Sequence, residues 1–178
     1  MKHNHLFLSL IVAAMLGFAG CASPTQPTAM TADTLQLGKH HSQTTAVQVG
    51  GGQPTNPAWM SSISNEDLLS AIKDSITKNT LFSAVVTIGS GDYTLNATIV
   101  NLKQPMMGFD LTVDLEILWT LTPKGATKPV WEKSIQTRAT KGVGEAFAAV
   151  KRLRLTTEAA AKDNITKALT QIGELDLK

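Results

Sequence analysis

The clearest pattern in the chain is a strict alternation of apolar and polar positions between residues 109 and 122. One face carries Phe109, Leu111, Val113, Leu115, Ile117, Trp119 and Leu121 without interruption. The other face is polar apart from Leu118. Because side chains alternate between the two faces of a strand, this period predicts a long strand with one buried face. A shift of one residue in its pairing would move the whole apolar face into water, so we expect a firmly set register.

Weaker patterns predict the elements around this strand. Ser64 is a good N-cap for a helix that ends at Asn79, and a helical stretch from 145 to 172 forms either one helix or two with a bend near Leu155. Further strands are predicted at 46–49, 81–88, 93–99 and 130–140, with a hairpin at 89–92. The order β-α-β-β-β-β-α predicts an α+β fold: an antiparallel sheet of four to five strands, four of them in a meander, with the helices packed on one face.

The first 20 residues have a different pattern. Lys2 precedes an apolar run from Leu6 to Ala19, and small residues then lead to Cys21. A charged start, a short apolar core and a small-residue cleavage site are the layout of a secretory signal peptide. The apolar core is shorter than the roughly 20 residues that a membrane span needs.

The end of this segment, Phe18-Ala19-Gly20-Cys21, resembles the lipobox of bacterial lipoproteins. The resemblance implies that the thiol of Cys21 receives a diacylglycerol and that the peptide is cut before it. Phe18 departs from the family pattern, in which leucine is commoner. The alternative is an ordinary secreted protein in which Cys21 is incidental.

Residues 21–45 are predicted to be a flexible tether between the lipidated cysteine and a single domain at 46–178. Residues 22–29 are small, polar and proline-bearing, so they bury too little apolar surface to offset the entropy of ordering. Leu35 and Leu37 are the exception, and we expect them to dock onto the domain.

Composition narrows the chemistry. The chain has 178 residues, a formal net charge of +2 and one cysteine. That charge gives no strong steering toward nucleic acid. If Cys21 is acylated, neither a disulfide nor a cysteine nucleophile can form.

The order of elements behind a lipid anchor resembles small outer-membrane lipoproteins of Gram-negative bacteria. These include the lipoproteins of lipopolysaccharide assembly and Pel polysaccharide export, activators of penicillin-binding proteins, and auxiliary lipoproteins of ABC-type lipid transport. The tail from Gly144 to Ile165 is similar to that of uncharacterised proteobacterial lipoproteins. In the sorting rule of enteric bacteria, aspartate after the cysteine retains a lipoprotein in the inner membrane. Ala22 at that position implies the outer membrane, facing the periplasm.

Candidate chemistry is sparse. Asp110, Asp114 and Glu116 share one strand face and could do glycosidic acid–base work, but threonines on the same face indicate a solvated sheet. His40 and His41 lie in the predicted tether without spaced partner ligands, so we expect no metal site and no cofactor.

Two groups of residues are candidates for partner contact. Lys151, Arg152 and Arg154 form a local basic cluster that could meet anionic headgroups or an acidic partner; a solvated helix edge is the alternative. Met106, Met107 and Trp59 lie in loops and would suit an adaptable contact surface, or would pack over the end of the sheet.

Three hypotheses follow. The first is a non-catalytic, lipid-anchored binding or assembly module of an envelope complex, which contacts a partner protein through its sheet face or a strand edge and could form homo-oligomers. The second is a carrier that encloses a lipid or glycan. The third is a hydrolase that uses the three carboxylates.

Overall fold

A computed structural model describes residues 23–56, 61–105 and 108–178. In chain order the helices are Pro27–Met30 (α1), Asn65–Lys78 (α2) and Ala149–Ile172 (α3). The strands are His41–Gly50 (β1), Phe82–Val86 (β2), Tyr93–Lys103 (β3), Leu111–Pro123 (β4) and Trp131–Lys141 (β5). They form one mixed sheet in the order β2-β1-β3-β4-β5, with the helices packed on one face. The predicted α+β class is confirmed.

The strongly alternating stretch forms β4, the longest strand. It pairs antiparallel with β3 on one side and with β5 on the other. Its apolar face, from Leu111 to Leu121, is buried under the helices. Phe109 was predicted on the same face but lies in the bend before β4 and is 84% exposed. A bend does not keep the two-residue period, so the buried face begins where the strand begins.

The predicted antiparallel meander is wrong at its first hairpin. β1 lies between β2 and β3 and is parallel to both. β2 pairs with residues 41–46 of β1, whereas β3 pairs with residues 45–50 on the other side. The segment 87–92 therefore carries the chain across β1 instead of folding it back. A glycine-bearing turn is compatible with a hairpin and with a crossover. The crossover forms because β1 is longer than the predicted four residues and pairs with both β2 and β3.

Close contacts hold this crossover against β1. A Cβ on Gly91 would lie 2.8 Å from the backbone nitrogen of Ala46, so only glycine fits there without a shift. The carboxylate of Asp92 accepts hydrogen bonds from the N–H of Thr44 at 2.8 Å and from its hydroxyl at 2.7 Å. These bonds lower the pKa of Asp92, since they favour the ionised carboxylate.

The predicted tether is largely part of the domain. Met30 and Ala32 are buried, and β1 begins at His41 rather than at Ala46. The N–H of Gln26 donates to Glu158 of α3 at 2.9 Å, and the N–H of Ala32 donates to Ser75 of α2 at 2.9 Å. The polar composition of this segment predicted a flexible coil. Instead, its polar groups are satisfied by the two helices and its few apolar side chains fill the gap between them.

Asp33, in the segment before β1, forms ion pairs with both α2 and α3. Its two carboxylate oxygens lie 2.9 Å from Lys78 of α2 and 2.8 Å from Lys162 of α3. Hydrogen bonds from Lys162 and Lys78 lower the pKa of Asp33 to about 2. The segment before β1 therefore ties α2 to α3 on the outside of the helical layer.

The helices begin and end largely as their local sequence predicts. Ser64 accepts a hydrogen bond from the N–H of Asp67 at 3.0 Å, as expected for an N-cap. The helical stretch at the end of the chain is one helix of 24 residues, α3, with no break at Leu155. His41, one of the two histidines of the predicted tether, is buried in β1, and its Nε2 atom lies 2.9 Å from the carbonyl oxygen of Ile172.

Candidate functional site

One half of β1 has an open edge. β2 ends at Val86, opposite Ala46, so it leaves Val47–Gly50 without a β2 partner. This part of β1 lines a groove of about 570 Å³. The groove is closed on one side by α2, through Asn65, Glu66 and Leu69, and at its rim by Ile88 of the crossover. We call it the β1 groove.

The β1 groove continues from α2 onto the open face of the sheet. Gln48 of β1 is in register with Asn96 of β3, and Gly50 with Thr98, and all four residues line it. The groove therefore has apolar side chains at α2 and the crossover, and polar side chains on the open face of β1 and β3. Glu66 is the single ionisable side chain among the described residues that line the groove. Such a site suits an extended polypeptide, which pairs through its main chain and places alternate side chains in neighbouring pockets.

The opposite edge of the sheet is protected differently. β5 carries exposed charged side chains along its length, among them Glu132, Lys133 and Arg138. Charges on an edge strand discourage further strand pairing. At the β1 groove the rim is instead apolar, because Ile88 is 63% exposed.

Of the three carboxylates of the hydrolase hypothesis, Asp114 and Glu116 line one groove on the open sheet face, and Asp110 is not among the residues that line it. Asp114 accepts hydrogen bonds from Arg138 at 2.5 and 3.2 Å, and Glu116 accepts one from Ser134 at 2.5 Å. Asp110 lies in the bend before β4, and one of its oxygens is 2.8 Å from where a Cβ on Gly142 would stand. The hydrogen bonds from Arg138 lower the pKa of Asp114, which is opposite to the change that a general acid needs.

The basic cluster predicted at the start of α3 is divided in space. Lys151 is exposed, but Arg152 is buried and donates to backbone carbonyl oxygens. Arg154 lies 3.5 Å from Glu158 through Nε, an ion pair without hydrogen-bond geometry. Desolvation raises the pKa of Glu158, and the Gln26 N–H and the Arg154 charge oppose that change. Lys151 is thus the exposed member of the three, whereas Arg154 is half-buried and Arg152 is buried.

Four other predicted residues lie outside the described part of the chain: Cys21, Trp59, Met106 and Met107. Their roles stay predictions. Among the described residues no group of three or more histidine, cysteine or acidic side chains could hold a metal ion. In the same part of the chain, no helix combines the length and the apolar character that crossing a membrane requires.

Sequence reasoning missed the β1 groove. The apolar run 81–88 predicts a single strand, whereas β2 ends at Val86 and Ile88 belongs to the crossover. The available signal was the length of the linker from Val86 to Tyr93, which is enough to cross one strand. Nothing in the linear pattern says which strand it crosses.

No protein-family model matches this chain, and no curated protein sequence matches it either. Solved structures do match. A protein from Xanthomonas campestris, of the family described as DUF330, has a TM-score of 0.62 at 13% identity, over 84% of this chain and 94% of that one. PelC from Paraburkholderia phytofirmans, solved as a dodecamer, has a TM-score of 0.50 at 11% identity, over 78% of this chain and 91% of that one.

A minor lipoprotein from Acinetobacter baumannii is a weaker match, with a TM-score of 0.48 at 8% identity, over 75% of this chain and 92% of that one. At these identities the likeness concerns the fold alone. The chain has a fold that is also found among proteins of Gram-negative bacteria.

Proposed function

We propose that this protein is a non-catalytic binding or assembly module of the Gram-negative cell envelope, held on the periplasmic side of the outer membrane by lipid on Cys21. The partner is an envelope protein that adds an extended segment to the free half of β1. The observation that carries this proposal is the open edge at Val47–Gly50, with its groove of about 570 Å³.

The chemistry around the groove supports binding rather than catalysis. The described residues that line it offer backbone groups, amides and apolar side chains, with Glu66 as the one ionisable group. The carboxylates that could have acted as a pair are each held by a different neighbour. The carrier hypothesis has less support, because the space between sheet and helices is filled by side chains such as Met30, Ile63 and Trp119.

Self-association is the second candidate. PelC, which shares the fold, was solved as a dodecamer. A free strand edge also suits pairing between copies of one chain. In that case the β1 groove would receive a segment of a neighbouring copy.

A photo-crosslinking amino acid at Gln48, in the full chain expressed in cells, tests the groove. We expect a discrete adduct with one partner, and the crosslinked peptide should map to an extended segment of that partner. Ile88→Glu places a charge on the apolar rim and should lower the adduct yield several-fold. Val130→Glu is the matched control, because Val130 is 56% exposed at the β4–β5 turn.

The outcomes separate the candidates. An adduct that contains only this chain, at twice its mass, would support self-association through the groove. If no adduct forms at Gln48, or if the two glutamate variants lower its yield equally, the groove is not the binding site.

A further inference from the structure

Two phenylalanines at one end of the molecule face water. Phe109, in the bend before β4, is 84% exposed, and Phe147, just before α3, is 93% exposed. Val143, in the same loop as Phe147, is 48% exposed. We call these three residues the apolar end. Large exposed apolar groups in one place mark a contact surface more often than chance exposure does.

A buried arginine holds the two loops of the apolar end together. Nη1 of Arg152 donates to the carbonyl oxygens of Ala146 at 2.7 Å and Phe147 at 3.1 Å. Nη2 donates to the carbonyl oxygen of Gly108 at 3.1 Å. One guanidinium therefore fixes the backbone beside both rings. Arg152 is only 3% exposed, and a buried charge is costly unless it is hydrogen-bonded. Its hydrogen bonds therefore hold the backbone of the two loops, and with it the two rings, in one position.

The described chain begins at the same end. The carbonyl oxygen of Ser23 accepts a hydrogen bond from the Ser61 hydroxyl at 2.8 Å. The carbonyl oxygen of Ser61 in turn accepts one from Nε2 of Gln104 at 2.7 Å, and the same Nε2 lies 2.8 Å from the Thr157 hydroxyl.

These contacts link Ser23, through Ser61 and Gln104, to Thr157 of α3. Gln104 precedes Gly108 by four residues, and Thr157 follows Arg152 by five, a rise of roughly 8 Å along α3. Cys21 lies two residues before Ser23, and two residues span at most about 7 Å. A lipid on Cys21 would therefore be attached to the chain within two residues of Ser23.

We propose that the apolar end is a membrane-seating surface: Phe109 and Phe147 enter the lipid interface while the acyl chains on Cys21 hold the domain there. The inference rests on the proposed lipidation of Cys21. Aromatic side chains favour the boundary between headgroups and acyl chains. Lys151, exposed in the first turn of α3, is placed to meet anionic headgroups.

The size of the surface favours lipid over a second copy of the chain. Two phenylalanine rings offer roughly 300 to 500 Å², whereas a stable protein interface needs about 800 Å² from each partner. A bilayer requires no shape match beyond the rings. The anchor also supplies the high local concentration that a small surface needs.

The test uses the lipidated full-length product, reconstituted in vesicles of phosphatidylethanolamine and phosphatidylglycerol. Phe147→Cys accepts an environment-sensitive thiol probe, and an acylated Cys21 cannot. Thr127→Cys is the control, because Thr127 is exposed in the β4–β5 turn at the other end of β4, roughly 40 Å away along the strand. We expect a blue-shifted probe at position 147, and brominated lipids should quench it several-fold more than the probe at position 127.

Each other result overturns the inference in a distinguishable way. Equal, weak quenching at both positions with an acylated Cys21 would leave the anchor intact and remove the seating surface. A blue shift at position 147 without quenching by brominated lipids would indicate a protein contact instead. Uptake of the probe by the wild-type chain would show a free thiol at Cys21, so the anchor itself would fail.

Discussion

At the scale of single residues, Asn164 determines how α3 sits on the sheet. Its side-chain oxygen accepts a hydrogen bond from the indole N–H of Trp119 at 2.9 Å. Its amide nitrogen donates to the carbonyl oxygen of Ile135 at 2.7 Å and contacts Thr137 at 3.3 Å. All of these groups are buried. A buried amide with every bond satisfied specifies one rotation of the helix, because other rotations would leave polar groups unpaired.

Asn164→Ala should therefore destabilise the protein by about 2 to 4 kcal/mol, since the Trp119 N–H and the Ile135 carbonyl would lose their partner in a dry interior. Urea unfolding followed by tryptophan fluorescence measures the change. Gln171→Ala, on the exposed side of the same helix, should stay within about 0.5 kcal/mol of wild type. Equal effects of the two substitutions would contradict the role given to Asn164.

Asp33 predicts a pH dependence. Its pKa is lowered to about 2 by Lys162 and Lys78, so the ionised carboxylate stabilises the folded state above its unfolded pKa near 4. This contribution is lost as the pH falls from about 4 toward 2. Asp33→Asn should lower the urea midpoint at pH 7, and the difference from wild type should shrink over that acidic range. Asp74→Asn, an exposed carboxylate of α2, is the control. A difference that is independent of pH would contradict the ion-pair explanation.

At the scale of elements, the crossover from β2 to β3 is the unusual feature of the sheet. It lets one strand, β1, have two parallel neighbours that are joined by only six residues. The cost is close backbone packing at Gly91, and the Asp92–Thr44 hydrogen bonds compensate for it. Because β2 stops at the crossing point, the same geometry opens the β1 groove.

Gly91→Ala should destabilise the protein by about 1 to 3 kcal/mol, since the added methyl would meet the β1 backbone. Thermal unfolding measures this effect. Gly144→Ala provides the comparison, because a Cβ there has no atom within 4 Å, and we expect it to be neutral or slightly stabilising. If Gly91→Ala were also neutral, the chain would not cross β1 as closely as described.

At the scale of the whole molecule, the two proposed surfaces have separate places. The apolar end lies where β3 ends and β4 begins, next to the start of the described chain. The β1 residues of the groove, Val47–Gly50, pair with Leu95–Thr98, nearer the middle of β3. From Thr98 to Lys103 is a rise of roughly 17 Å, so a domain seated on its apolar end would hold the groove above the headgroups, open to the periplasm.

Cys21→Ser tests the anchor on which this arrangement depends. The variant should appear in the soluble fraction or as an uncleaved precursor, whereas the wild-type chain should cofractionate with outer membranes on a density gradient. Each acyl methylene contributes about 0.8 kcal/mol, and two or more chains make attachment stable. Unchanged fractionation and mass of the variant would contradict lipidation, and a wild-type chain in the inner-membrane fraction would contradict the sorting expected from Ala22.

Part of the fold follows from local sequence alone. The face from Leu111 to Leu121 and the cap at Ser64 were both predictable, because each depends on a short-range rule: the two-residue period of a strand and the hydrogen bond of an N-cap. The segment 25–40 was not predictable in this way. Its polar residues satisfy helices that lie far away in sequence, as the bond from Gln26 to Glu158 illustrates.

The candidate sites divide along the same line. Lys151, Arg152 and Arg154 looked equivalent in sequence, and only burial separates the exposed Lys151 from the buried Arg152. Phe109 looked like a core residue because it continues an alternating pattern beyond the end of the strand. Nothing local distinguishes a free strand edge from a paired one, so the β1 groove had no signal of its own.

Periodicity and short motifs act over a few residues, so they were enough to predict the class of fold, the long strand β4 with its buried face, and a lipid at Cys21. The position of β1 between β2 and β3, the link that the segment before β1 makes from α2 to α3, and the attachment of the Phe109 and Phe147 loops to one arginine are features of the tertiary structure. Those outcomes depend on contacts between residues far apart in the chain. Which of these long-range contacts form depends on the packing of the whole molecule, because no local pattern specifies them.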